Sequence, residues 1–162
     1  GVSFGAFGGR NDLMSRLDPR DPEPLVHSGT FNNNVLTMAA GLAGLEKVLT
    51  PQATIKLNEA GDRLRERLQG VADARNIPAQ VMGIGSMICV HFQDEPIRRP
   101  ADAEKTRPGT RKLLQLEMNL KGFYLSRRGF LSLSLPLTDQ DYDSFVTTFD
   151  EFLDENATVL RG

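Results

Sequence analysis

The sequence contains no tryptophan, two tyrosines, two histidines and a single cysteine, Cys89, in 162 residues. One cysteine cannot close a disulfide within the chain, so cross-links do not hold this fold, and a reducing, cytoplasmic setting is the simpler expectation. Long apolar runs are missing as well. Nothing approaches the roughly 20 residues a helix needs to cross a bilayer. No signal-peptide pattern is visible, which decides nothing in a chain that does not begin with Met. An excess of one charge is also lacking: 19 basic side chains stand against 21 acidic ones, a net charge of −2. That balance implies no broad attraction to nucleic acid or to an anionic membrane. What remains is an ordinary globular composition, 40% apolar and 25% charged, enough for a core of its own.

The most informative stretch is Val26-His27-Ser28-Gly29-Thr30-Phe31-Asn32-Asn33-Asn34. It is small and polar, ends in three asparagines, and is followed at once by an Ala-rich apolar run from Val35 to Leu49. Asn is a favoured helix cap because its side chain accepts from an orphan N–H of the first turn. The pattern predicts a polar loop feeding a helix. That helix is apolar almost all round, with Leu36, Met38, Leu42 and Leu45, and is expected to be buried. Gly41 and Gly44 on it permit close approach of another element. A Ser-Gly-Thr loop ahead of a helix offers hydroxyls and backbone N–H groups, the donors an anion such as phosphate needs. A plain turn and cap would read the same way from these residues alone.

Set beside the opening Gly1-Val2-Ser3-Phe4-Gly5-Ala6-Phe7-Gly8-Gly9-Arg10, this loop and its helix resemble one ordered pattern. It is similar to that of the class III aminotransferases that use pyridoxal phosphate, and within them to the glutamate-1-semialdehyde aminomutase group. In that family a segment G-G-G-x-P-x-G-A-x-G-G follows the catalytic lysine, and G-T-x-x-x-N-P precedes an Ala-rich helix. Ser3 and Val35 stand where the family usually carries proline.

The resemblance implies several things. The Schiff-base lysine would lie upstream of Gly1, so no catalytic residue is expected here, and the chain reads as the C-terminal part of a longer protein. Lys47, Lys56, Lys105, Lys112 and Lys121 do not match the lysine's position. Thr30, with Ser28 and Gly29 shaping the loop, would bind the phosphate of pyridoxal 5'-phosphate across a homodimer interface. Arg127 and Arg128 are candidates for a substrate carboxylate, since a guanidinium can grip it with two parallel bonds. Arg128 is favoured because Gly129 follows it and adjacent side chains on a strand hairpin point to opposite faces. No residue is assigned to a metal. The implied activity is amino-group transfer between a small-molecule amino donor and an acceptor. The alternatives are a 2,1-aminomutase, or a lysine-less binding or assembly module.

Further along, the patterning predicts a short strand over Val2–Gly9, a brief helix capped by Asn11, and a surface loop through the prolines at 19, 22 and 24. Thr50-Pro51 starts an amphipathic helix running to about Asn76. Strands follow at Ala79–Met82 and Ser86–Phe92, with Ile88, Val90 and Phe92 on one face, Met87, Cys89 and His91 on the other, and Cys89 read as core. His91 is expected to be partly exposed, and Gln93–Gly109 to be a loop or a poorly ordered segment. A helix over Thr110–Leu120 leads to a second strand pair, Phe123–Ser126 and Phe130–Leu135. The last helix begins at the cap Thr138, and the tail from Asn156 is expected to fray. The sum is an α+β layer of helices on a small antiparallel sheet. By the resemblance, residues 1–50 end a large α/β cofactor domain of the fold-type I kind, and residues 51–162 are its C-terminal small domain.

Overall fold

The computed structural model describes residues 3–161. The chain forms two compact units divided between Pro51 and Gln52.

In the first unit, α1 (Asn11–Met14) runs into a 3₁₀ turn (Ser15–Leu17), and α2 spans Val35–Lys47. The described part of the opening stretch takes no regular structure, so the strand expected there is not formed; Val2, where it would start, lies outside the described residues. Arg10, not Asn11, occupies the cap position of α1; its carbonyl accepts from Leu13 and Met14. Asn34 caps α2 as expected, its side chain accepting from the Thr37 N–H at 3.1 Å. The expectation of a buried α2 is not met. Leu36 is 75% exposed and Leu42 58%, and Gly41 is the one buried residue of the helix. The physical reason is a shortage of layers: among its described residues this unit has no sheet and no second long helix to cover the apolar faces of α2. What covers Gly41 is the Phe4 ring, which a Cβ on Gly41 would meet at 3.0 Å; around Gly44 there is open space.

The second unit holds α3 (Pro51–Ala74, all but its first residue), β1 (Ala79–Ile84), β2 (Met87–Phe92), a 3₁₀ segment (Pro100–Lys105), α4 (Thr110–Leu120), β3 (Phe130–Ser132), α5 (Asp139–Glu155) and α6 (Ala157–Arg161). The three strands form one antiparallel sheet in the order β1-β2-β3, with Val81 opposite Val90 and Ile88 opposite Leu131. Period-2 alternation on β2 puts Ile88, Val90 and Phe92 into the core. Helical spacing brings Leu64 and Leu68 of α3, Leu114 and Met118 of α4, and Phe145, Phe149 and Phe152 of α5 to the same core. Phe152 sits between Phe92 and Phe149, with ring centroids 6.1 and 6.3 Å away. Thr138 and Asp141 make a reciprocal cap at the start of α5.

The β1–β2 turn is locked onto α3. Asp62 accepts from the Gly85 N–H and Asn58 from the Ser86 N–H. A Cβ on Gly61 would overlap the Gly85 carbonyl. Here glycine is required by the close approach of two backbones.

Four other expectations are corrected. Phe123–Ser126 is not a strand: Ser126 starts a turn, donating its N–H to Phe130 O and accepting from Gly129 N–H, and the ladder partner of β3 is β2. Cys89 is half-buried rather than core. The tail does not fray as far as Arg161. It forms α6, which seats Leu160 in the core and ties Arg161 to the Arg75 carbonyl at 2.7 Å.

The last correction concerns His91 and the segment after it. His91 is 8% exposed, not partly solvated, and its Nδ1 lies 3.2 Å from Thr106 Oγ1. Gln93–Gly109 is ordered by two glutamines. Gln80 accepts from the Ile97 N–H and donates to Glu95 O, while Gln93 donates to the carbonyls of Glu95 and Asp102 and accepts from Thr106. Side-chain amides supply the bonds that a ladder would otherwise make.

Candidate functional site

The candidate residues fall into two groups, one in each unit. Ser28, Gly29 and Thr30 lie in the first unit, on the loop leading to α2. The loop closes by an Asn32 N–H to Gly29 O bond of 2.9 Å, and Asn33 then takes a left-handed φ of 58° to feed the helix. A Cβ at Gly29 would stand 2.9 Å from Asn32 Oδ1. All three residues are exposed. Among the described residues, no hydrogen bond uses the Ser28 or Thr30 hydroxyl, or the Gly29 or Thr30 N–H. The donors are therefore accessible and unused, and they precede the positive end of a 13-residue helix. A dianionic phosphate needs several N–H and O–H donors and no competing carboxylate. On that chemistry the set fits the phosphate of pyridoxal phosphate.

The same loop walls a cleft of about 500 Å³ with the glycine-rich opening stretch. Its lining includes Phe4, Phe7, His27, Phe31, Asn32 and Thr37, but not Ser28, Gly29 or Thr30 themselves. Phe7 meets His27 edge-on at 5.1 Å, the contact that joins the two sequence motifs. Sequence reasoning passed over His27 and Phe31. Their only signal was position, on either side of Ser-Gly-Thr.

Arg127 and Arg128 lie in the second unit, on the turn between Ser126 and Phe130, and both are exposed. The expectation that a hairpin would send one to each face loses its basis, because the segment before them is not a strand. Among the described residues neither guanidinium enters an ion pair or a side-chain hydrogen bond, so both are available to an anion. Arg111 of α4 packs against this turn, and sequence reasoning did not single it out. Its charge and the burial of the site also act on β2. Burial pushes the Cys89 thiol up, with Arg111 partly offsetting it, so that thiol stays protonated and is no nucleophile. Burial, then Arg111, pushes the His91 imidazole below its ordinary value.

The lysines divide by surroundings. Lys105 pairs with Glu95, and Lys121 with Glu151 and Glu155 at 3.3 and 3.1 Å. Both amines are raised, chiefly by those hydrogen bonds to carboxylates. A nucleophilic amine needs the opposite shift. Among the described residues no helix is long and apolar enough to cross a membrane, and no cluster of His, Cys, Asp and Glu is arranged to hold a metal.

Comparison with known proteins gives one family. The profile of aminotransferase class-III matches residues 1–151. The β-phenylalanine transaminase of Variovorax paradoxus is 46% identical over 160 residues, 99% of this chain and 37% of that protein. A glutamate-1-semialdehyde 2,1-aminomutase of Anaeromyxobacter dehalogenans is 43% identical over 103 residues, 64% of this chain and 23% of that protein. Among solved structures, a β-phenylalanine aminotransferase from Variovorax paradoxus superposes with a TM-score of 0.87 at 43% identity, covering 94% of this chain and 35% of that one. A transaminase with pyridoxal phosphate bound superposes at 0.77 and 25% identity, covering 95% of this chain and 35% of that one. The chain thus spans little more than a third of the length of the transaminases it matches. Its helices and three-stranded antiparallel sheet are the corresponding part of the fold-type I architecture, and the chain belongs to the class III aminotransferases, a family dependent on pyridoxal phosphate.

Proposed function

We propose that this chain is the C-terminal portion of a pyridoxal-phosphate-dependent aminotransferase acting on an amino acid, with an aromatic β-amino acid as the donor to test first. The observation that carries the reading is the extent of the match. The β-phenylalanine transaminase aligns over 99% of the chain at 46% identity, whereas the aminomutase of similar identity aligns over 64%. Residues 1–50 end the large cofactor domain and residues 51–162 are the small domain. The division of the chain between Pro51 and Gln52 supports that assignment.

When bound, pyridoxal phosphate supplies the electron sink that lets an amino group leave one substrate and join another. This chain's residues hold and orient. Ser28, Gly29 and Thr30 donate to the phosphate, and in a homodimer Thr30 serves the partner subunit's cofactor. Arg128, with Arg127 beside it, binds the substrate carboxylate through paired guanidinium N–H bonds. The proton-carrying amine is supplied from outside these 162 residues. Lys105 and Lys121 are held in ion pairs with Glu95, Glu151 and Glu155, and on this reading the chain by itself is inactive.

The test uses the complete polypeptide with pyridoxal phosphate, an aromatic β-amino acid and a 2-oxo acid. The expected result is keto product formed one-for-one with the new amino acid. Isomerisation of an amino aldehyde with no acceptor present would instead establish the aminomutase. The 162-residue chain alone, treated with cofactor and borohydride, is expected to keep its unlabelled mass; a stable label on one lysine would refute its inactivity.

A further inference from the structure

The turn Ser126–Gly129 is held to the rest of its unit through the backbone. The Arg128 carbonyl oxygen accepts from the Arg111 guanidinium at 3.4 Å and from the Cys89 thiol at 3.6 Å. The Gly129 carbonyl accepts from the Val90 N–H at 3.2 Å. Gly129 has a φ of 76°, in the region that favours glycine. A Cβ there would stand 3.1 Å from both Cγ and Cδ of Arg111 and 3.2 Å from Val90 O. The stem of Arg111 therefore lies against the glycine while its head caps the neighbouring carbonyl. Neither the Arg127 nor the Arg128 side chain takes part in these contacts.

We propose that Arg111 is a positioning residue for substrate binding: it fixes the direction in which the turn presents Arg128 to the substrate carboxylate. The proposal rests on the reading of Arg128 given above. A guanidinium grips a carboxylate with two parallel bonds only when its plane is aligned with the ligand. A long exposed side chain on a swinging turn loses that alignment to conformational entropy. Arg111 and Gly129 remove the swing at its base. Arg111 acts without touching the substrate, through one carbonyl and one glycine.

The complete polypeptide loaded with pyridoxal phosphate tests this with Arg128→Ala, Arg111→Ala and Arg111→Lys in parallel. Each is assayed on an amino acid and on the corresponding amine that lacks the carboxylate. Arg111→Ala is expected to raise KM for the amino acid roughly 3- to 10-fold with kcat held, and KM for the amine by less than about twofold. Arg111→Lys recovers part of the loss, because an ammonium can still donate to the carbonyl. Amide hydrogen exchange of residues 126–132 in Arg111→Ala quickens, while the β1–β2 amides keep their protection. Equal losses on both substrates overturn the proposal, as does an unchanged KM in Arg111→Ala while Arg128→Ala is selective for the amino acid. An unselective Arg128→Ala removes the carboxylate reading itself, and the proposal with it. Should Arg111→Ala fail to fold, Gly129→Ala, which pushes the Arg111 stem aside, must give the same substrate-selective rise in KM; without that rise the proposal fails.

Discussion

The two units of this chain use the same alphabet and reach opposite ends. Among the described residues, every side chain of the buried apolar core lies between Leu64 and Leu160, in the second unit. Long-range ion pairs join its elements: Arg75, in the turn just after α3, to Asp150 of α5 at 2.7 Å, and Arg67 of α3 to Asp143 of α5 at 2.7 Å. The first unit exposes Phe31, Val35, Leu36 and Leu42, and its side-chain hydrogen bonds join residues close in sequence, such as Arg16 to Glu23 O. One unit is stabilised by what it buries. The other is shaped by caps, turns and a ring contact between Phe7 and His27, and many of its apolar side chains are exposed. Stability and ligand chemistry are thus separable here, and they can be perturbed one at a time.

The largest expected effect breaks the core. Phe149→Ala should destabilise the chain by about 3–5 kcal/mol, the range for emptying a buried phenylalanine site. Leu42→Ala, on the exposed face of α2, should stay within about 0.5 kcal/mol. Chemical denaturation of both variants measures the contrast, and similar losses would mean that α2 is covered in solution.

Next comes Gly61→Ala. Its Cβ would overlap the Gly85 carbonyl, and the overpacking should cost about 1–3 kcal/mol while loosening the β1–β2 turn. Hydrogen exchange at Gly85 and Ser86 reports the loosening; unchanged protection there would contradict the contact.

Thr30→Ala tests the other side of the comparison. In the complete protein it should weaken cofactor binding by about 1–3 kcal/mol, the scale for a hydrogen bond to a charged group. Titration with pyridoxal phosphate gives the number, and an unaltered affinity removes Thr30 from the site. Its effect on the denaturation of the chain should be small, since the hydroxyl has no partner among the described residues.

The smallest effect is a pH dependence of the second unit. The folded state holds His91 below its ordinary value of 6.5, by burial first and the Arg111 charge second. As pH falls below about 6.5 the unfolded chain takes up the proton before the folded one does. The stability from neutral His91 is therefore present above that pH and drains away as pH falls toward the lower, folded value. Denaturation midpoints at about pH 7.5 and about pH 5.5 should diverge in the parent and converge in His91→Gln; parallel profiles would assign the dependence elsewhere.

Much of the second unit was legible because its signals are local. The Thr138 cap announces the start of α5, the Leu114–Met118 spacing announces α4 and its inward face, and the alternation of Ile88, Val90 and Phe92 announces a strand, though not which of its faces is buried. The glycine-rich opening and the Ser28-Gly29-Thr30 loop were legible as a family pattern, not as geometry. What escaped was decided by partners distant in sequence. Leu160 is held because Arg107 and the residues around Arg75 meet the tail, 53 and 86 positions away in the chain. The 93–109 segment is ordered by Gln80, which no local rule links to Glu95 or Ile97. The apolar run of α2 announced a helix that needs cover, but periodicity carries no information about where the cover comes from.

The backbone anchorage of the Arg127–Arg128 turn has a consequence for how such a protein can change over generations. The turn keeps its shape through two carbonyl oxygens and a glycine, while its two exposed arginine side chains make no hydrogen bond or ion pair among the described residues. Mutations at 127 and 128 can therefore alter what the turn recognises at little cost in stability, typically within about 0.5 kcal/mol for exposed positions. Mutations at 111 or 129 carry no such freedom, because they move the platform itself. On the role proposed for Arg128, preference for one acid over another could drift at the tip while the base stays put.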